Sequence, residues 1–402
     1  MNASGPPAAL YVHVPFCRAK CSYCDFAREV RHADRVSLYL AALAIELGSR
    51  CAESPRGGAV TKTLNRQSSP DASGVYRQSR TVYIGGGTPT SLTEAELDRL
   101  LDILARHVDL KSAEEFTVEA NPGTLTVGKL SLLRTRGVNR LSLGVQSFQP
   151  RLLKLLGRIH TAGEARASVE LARAAGFDNL SLDLMHGLPT GSRQELECDL
   201  DAALALAPEH LSAYGLTYEE GTPLALAVAR GDIAKLSAEE ETAQYTLVME
   251  RLEAGGLPQY EISNYARPGR QSRHNLAYWR NEPYLGFGPS AASYLDGERS
   301  VNERELDAYC AAIAARGQAV ASRERLDPEK RAREALILEL RLRAGVDAAE
   351  FRARWGWDFQ AACAAELARF RAQGLMEFTP EQRWRLTARA LPVADTVLSE
   401  FV

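Results

Sequence analysis

Short runs rich in β-branched and aliphatic residues recur along the first two-thirds of the chain, at Ala9–Pro15, Thr81–Ile84, Phe116–Ala120, Arg140–Val145, Leu180–Met185 and His210–Leu216. The segments between them carry helical spacing. Val36, Leu40, Leu43 and Leu47 share one helix face, as do Leu196, Leu200, Ala203 and Leu204. Strands that alternate with amphipathic helices predict a parallel sheet with helices outside it. Six such units fall short of the eight of a closed barrel. The expected fold class is therefore α/β, a partial (β/α)6 barrel.

Two stretches break this rhythm. Cys51–Arg80 is rich in Ser, Gly and Pro and offers few aliphatic anchors, a composition that predicts a mobile surface insertion. From Asp327 onward, helical segments (Glu329–Leu342, Ala348–Arg354, Phe359–Gln373) precede two short strand-like pieces, Leu375–Phe378 and Arg383–Thr387. Helices followed by a hairpin predict a smaller, mostly helical, winged-helix-like unit. The expected division is a core domain at 1–240 with its insertion at 51–80, a connecting region at 241–325, and a C-terminal domain at 326–402.

Charge limits what these units do. The last of them holds twelve Lys and Arg against twelve Asp and Glu, so it lacks the basic footprint of a DNA reader. The whole chain of 402 residues carries a formal charge of −3, which argues against general nucleic-acid binding. No run approaches the roughly 18 apolar residues of a membrane span, and MNASGPPAAL lacks the basic start of a secretory signal. A cytoplasmic location is expected. Seven cysteines are then no disulfide framework.

Three of those cysteines, Cys17, Cys21 and Cys24, stand in a C-x3-C-x2-C pattern just beyond the first strand. Thiolates at this spacing on a short loop can converge on a soft metal centre. Zinc would need a fourth ligand, and His13 is the local candidate. A [4Fe–4S] cluster would leave one iron open for a further ligand. The interleaved Arg18, Lys20 and Ser22 make inert core cysteines a poor reading, and the strand position of His13 favours the cluster.

Other polar motifs also sit at strand ends. Gly85-Gly86-Gly87-Thr88-Pro89 follows the second strand, Glu119-Ala-Asn121-Pro122 the third and Gln146-Ser147-Phe148 the fourth, while the fifth contributes Asp183 before Gly187-Leu188-Pro189. Each is weak alone, but together they converge on the face where barrels place their active sites.

The cysteine spacing resembles the signature of the radical S-adenosylmethionine (SAM) superfamily. The ordered set YVHVPFC, GGGTP, TVEANP, RLSLGVQSF, LGRIH, SLDLMHGLP, YEISNYA and HNLAYW resembles one branch of it, from about Leu10 into the C-terminal region. That branch contains oxygen-independent coproporphyrinogen III oxidases and the HemW heme chaperones. The resemblance implies Cys17, Cys21 and Cys24 as ligands of a [4Fe–4S] cluster whose open iron chelates SAM. It implies Tyr11, Gly86, Gly87, Thr88, Glu119, Gln146, Arg158 and Asp183 as the SAM-binding set.

The oxidase pattern carries a fourth cysteine where this chain has Phe26, and a longer N-terminal extension. Both departures favour the heme-chaperone pattern. A chaperone needs an iron ligand that lets go, and His274 in the HNLAYW motif is the candidate, with Arg273 or Arg280 for propionates and Tyr278 and Trp279 flanking the macrocycle. His160 and His186 are rivals. The partners expected are heme and a heme-acceptor protein of unknown identity, without nucleic acid or an integral membrane segment; a homodimer is left open. The alternative is a radical SAM enzyme acting on a porphyrin-like substrate.

Overall fold

The computed structural model describes residues 7–52 and 79–402. Residues 53–78, most of the expected insertion, lie outside them. Six parallel strands, β1 (Ala9–Val14), β2 (Thr81–Gly86), β3 (Glu115–Ala120), β4 (Arg140–Gln146), β5 (Leu180–His186) and β6 (His210–Gly215), lie side by side in chain order. They match the six expected runs to within two residues at either end, and nearly every side chain in them is buried. Strands covered on both faces read as unbroken apolar runs for this reason.

Four helices, three between these strands and one after the last of them, begin with a reciprocal capping box, at Thr93/Glu96, Thr161/Glu164, Ser192/Glu195 and Ser237/Glu240. In each, the hydroxyl accepts from the backbone amide three residues on, and the glutamate returns a bond to the cap's own amide.

The region expected only to connect supplies strands to both edges of this sheet. Tyr284–Phe287 runs parallel to β1, with Tyr11 opposite Gly286, and Ala292–Leu295, Glu298–Asn302 and Val320–Arg325 continue antiparallel from it. At the other edge Asn264–Ala266 pairs antiparallel with β6 and then with Gln259–Glu261. The result, among the described residues, is one twelve-stranded sheet. The fold is α/β, a partial (β/α)6 barrel followed by a mostly helical, winged-helix-like part. There Val346–Asp347, Arg383–Leu386 and Met376–Phe378 form a three-stranded sheet against helices Pro328–Glu339, Ala348–Trp355 and Ala364–Ala372. Its apolar core, including Leu336, Phe351, Phe359, Leu367 and Trp384, is separate from the one beneath the large sheet. Among the described residues no helix is long and apolar enough to cross a membrane.

Candidate functional site

The cysteine loop leaves the C-terminal end of β1 and is closed by a short parallel pairing of Phe16–Cys17 with Glu29–Val30. The end of β2 docks against it: Gly87 N–H donates to Val14 O at 2.8 Å and Thr88 N–H to Phe16 O at 2.7 Å. Glycine is required here. A Cβ on Gly87 would lie 2.7 Å from Phe16 O, and one on Gly86, whose φ is +105°, 2.6 Å from the His13 ring. The glycines thus let backbone meet the cysteine loop.

A line of hydrogen bonds joins two of the cysteines through three strand ends. Thr88 Oγ1 donates to Cys17 Sγ at 3.6 Å and accepts from Asn121 Nδ2 at 2.6 Å. Arg158 Nη2 donates to Asn121 Oδ1 and to Gly144 O, both at 2.6 Å, and Nη1 reaches Cys21 Sγ at 3.5 Å. Arg28 Nη2 caps the carbonyls of Cys21 and Cys24 at 3.0 and 2.6 Å. Arg28 Nε and Nη1 and Arg158 Nε are buried without a partner. Unpaired cationic donors beside three free thiols fit an anionic group such as an iron–sulfur cluster or a carboxylate held there.

The zinc alternative loses its fourth ligand. His13 Nε2 bonds Ala27 O at 2.8 Å, and because a carbonyl only accepts, Nε2 bears the proton. Nδ1 therefore accepts from the Tyr11 hydroxyl at 3.2 Å. Neither nitrogen is free.

Cys17, Cys21, Cys24, Gly86, Gly87, Thr88, Glu119, Gln146, Arg158 and Asp183 all line one cavity of about 530 Å³. Glu119 accepts from Tyr83 Oη at 2.7 Å and from Gly86 N–H at 3.0 Å. Burial, reinforced by Asp183, pushes its carboxyl up to about 7. Asp183, which accepts from Ser142 Oγ at 3.2 Å, is raised by burial to about 6. Gln146 has φ +68° at an irregularity in the β4–β5 register. Such a bulge re-aims a side chain, and here Gln146 joins the cavity lining. His160 also lines it, with Nε2 donating to Val145 O at 3.1 Å and burial pushing the imidazole down to about 4.

Two expected residues lie elsewhere. Tyr11 lines a second cavity of about 550 Å³, together with His13, Tyr278, Trp279, Tyr284, Arg299 and Arg304. Asp25 and Phe26 line both cavities. His274, expected to ligate heme iron, lines neither. It is 1% exposed, stacked on Tyr83, and both ring nitrogens are engaged, Nδ1 with Thr81 Oγ1 and Nε2 with Tyr278 Oη, each at 2.9 Å. Desolvation holds it neutral, far below the usual imidazole range, at about 3. In this geometry His274 has the surroundings of an interior structural histidine. Of its rivals, His186 is buried with Nδ1 unpartnered and borders neither cavity. Sequence reasoning passed over Arg28, whose position four residues beyond Cys24 was the available signal, and gave Asn121 no role.

A partial barrel with three thiols on its first loop, and with carboxylates, a carboxamide and a guanidinium from later strands around one cavity, defines a radical SAM protein. The model described as the Radical SAM superfamily matches residues 11–203, and the HemN C-terminal domain matches residues 326–393. The chain is 40% identical over 347 residues to the heme chaperone HemW of Bacillus subtilis (strain 168), covering 86% of each. It is 40% identical over 288 residues to the heme chaperone HemW of Escherichia coli (strain K12), covering 71% of this chain and 70% of that one. Coproporphyrinogen III oxidase (HemN) from Escherichia coli, a radical SAM enzyme, superimposes with a TM-score of 0.83 over 100% of this chain and 91% of its own at 24% identity, a likeness of fold alone. The chain belongs to the HemW family. Membership of the radical SAM superfamily implies a [4Fe–4S] cluster and SAM as cofactors.

Proposed function

We propose that this protein binds heme and passes it to an acceptor protein, with a [4Fe–4S] cluster and SAM as resident cofactors. Cys17, Cys21 and Cys24 hold the cluster in this reading. Glu119, Gln146 and Asp183 receive the polar groups of SAM, and Arg28 and Arg158 offer donors to its carboxylate or to the sulfur centre.

One observation carries the reading: two adjoining cavities of similar size differ in chemistry and share a wall. The first gathers thiols, carboxylates and guanidinium groups. The second is faced by the rings of Tyr11, Tyr278, Trp279 and Tyr284, with Arg299 and Arg304 among its lining. Aromatic faces and cations suit a flat macrocycle with carboxylate arms, and the volume lies in the range of small-ligand pockets. Phe26, the residue that stands where related oxidases carry a fourth cysteine, is 64% exposed and belongs to the shared wall. It presents an apolar face to cargo beside the cofactors.

The test is an anaerobic heme titration of the cluster-reconstituted protein, followed by absorbance, then addition of a heme-free acceptor. A saturable, near-stoichiometric Soret shift that moves to the acceptor supports delivery. Without saturable binding the heme reading fails, and the radical SAM enzyme reading takes its place.

A further inference from the structure

Both arginines of the second cavity are engaged with carboxylates from other parts of the chain. Arg299 Nη1 donates to Glu334, on the C-terminal helix Pro328–Glu339, at 2.6 Å. Arg304 Nη2 donates at 2.7 Å to Asp25 Oδ1 and at 2.5 Å to the Asp25 carbonyl. The two pairs differ in exposure. The side chains of Arg299 and Glu334 are 31% and 23% exposed, those of Arg304 and Asp25 52% and 48%. An ion pair as open to water as the second is weakly held, so it is the one that a cargo carboxylate can replace.

The shape of the guanidinium makes that replacement necessary. A carboxylate gripped by two parallel bonds takes either Nε with Nη2 or Nη1 with Nη2. Arg31 shows the first form on Glu96. Both forms need Nη2, which in Arg304 is committed to Asp25. Two more donors of the same cavity are buried without a partner, the Asn281 amide Nδ2 and the Trp279 indole N–H. Asn281 is 3% exposed. Buried donors left unpaired point to acceptors that arrive with a ligand.

Asp25 is also the joint between the two cavities. It follows Cys24 directly and, with Phe26, lines both spaces. The chain is fixed on either side: Arg28 Nη2 holds the Cys24 carbonyl at 2.6 Å, and His13 Nε2 donates to the Ala27 carbonyl at 2.8 Å. Between those points Arg304 holds Asp25 by main chain and side chain together.

We propose that Arg304 exchanges Asp25 for a carboxylate arm of heme, and that this exchange couples the two cavities. The hydrogen bonds from Arg304 to Asp25 break, two bonds from Arg304 to the arriving carboxylate form, and the wall of Asp25 and Phe26 is released. A freed wall must be ordered again when SAM fills the first cavity, and that ordering costs affinity. Heme therefore weakens SAM binding. Coupling between sites is reciprocal, so heme binding is weakened by the same factor once SAM is present, which favours release of cargo from the cofactor-loaded protein. The factor is bounded by what an exposed ion pair supplies, about two- to fivefold. The inference rests on the heme reading.

The experiment is an anaerobic binding cycle on the cluster-reconstituted protein, with no reductant added so that SAM stays whole. SAM is titrated with and without saturating heme, and heme with and without saturating SAM. In the wild type each ligand is expected to weaken the other by about two- to fivefold, and hydrogen exchange at residues 24–27 is expected to rise when heme binds. Asp25→Asn is expected to bind heme at least as tightly as the wild type and SAM more weakly, with no coupling left between them. Arg304→Gln is expected to lose about tenfold in heme affinity, again without coupling. Wild-type affinities that are independent of each other or that strengthen each other, or coupling retained in Asp25→Asn, overturn the exchange and leave the heme reading intact. No saturable heme binding by the wild type removes both.

Discussion

Arg158 holds Cys21 from across the barrel: its Nη1 lies 3.5 Å from Cys21 Sγ, while Nη2 donates at 2.6 Å both to Asn121 Oδ1 and to the Gly144 carbonyl. The guanidinium thus locks a β4-side residue to the end of β3 and to the cysteine loop, and places positive charge where a thiolate must form. Its planar fork is the property in use, and lysine, a point charge, cannot reproduce it.

Arg158→Lys is therefore expected to weaken SAM binding by about 10- to 100-fold, the range for losing one or two charge-assisted hydrogen bonds. It should also lower the iron and sulfide retained per chain. Calorimetric titration with SAM, alongside iron and sulfide assays, checks both. Unchanged values for the lysine variant would remove the fork from the site.

Glu119 and Asp183 carry a pH dependence of known sign. Burial raises Glu119 to about 7 and Asp183 to about 6, so between pH 4.5 and 7 the folded protein without ligand holds protons that the unfolded chain has released. Stability falls with rising pH wherever the native state binds more protons. Their contribution is thus intact below about pH 4 and diminishes as pH rises through 6 and 7. Glu119→Gln removes one of these losses while keeping an acceptor for Gly86 N–H and a donor for Tyr83. The variant is expected to match the wild type in Tm near pH 5 and to exceed it progressively towards pH 8. Parallel curves would show that Glu119 does not titrate in this window.

Gly87→Ala tests the docking of the β2 end on the cysteine loop. The added methyl would sit 2.7 Å from Phe16 O and 2.9 Å from Phe16 N, backbone atoms that cannot swing aside. Overpacking of this kind costs about 1–3 kcal/mol. Urea unfolding should register the loss in midpoint, and iron retention should fall with it because Cys17 follows Phe16 directly. By contrast, Gly176→Ala meets no neighbouring atom but carries φ +84°, so any cost there is strain alone, without loss of iron.

The parts legible in the sequence are those set by local rules. Buried parallel strands announce themselves as apolar runs, and the strand-end rule brought Glu119, Gln146 and Asp183 to one cavity although they lie on different strands. What escaped depends on residues far apart in the chain. Tyr11 and His13 point the same way on β1, since alternate residues share a face. Which cavity they meet is decided by the strand Tyr284–Phe287, which returns to lie beside β1. The six strands between 259 and 325 are short, three to six residues each, and their pattern is too brief to separate from loop. Arg28 acts through backbone carbonyls of the cysteine loop, so only its nearness to Cys24 in the chain marks it.

His274 shows the same division and gives the sharpest test. Its Tyr278 partner is one helical turn away and readable from the sequence, whereas Thr81 lies 193 positions distant and meets it only because the helix Arg273–Trp279 packs against β2. With both nitrogens committed and the ring closed over by Tyr83, removing it strands two buried hydroxyls. Each unsatisfied group costs about 1–3 kcal/mol, and the vacated volume adds to that. His274→Ala is thus expected to lower unfolding stability by several kcal/mol while leaving the ligand-sensitive spectrum of bound heme unchanged in the folded fraction. His274→Gln, which keeps polar atoms facing both hydroxyls, should recover part of the stability. Loss of the heme spectrum in a folded glutamine variant, with stability near that of the wild type, would place His274 at the iron.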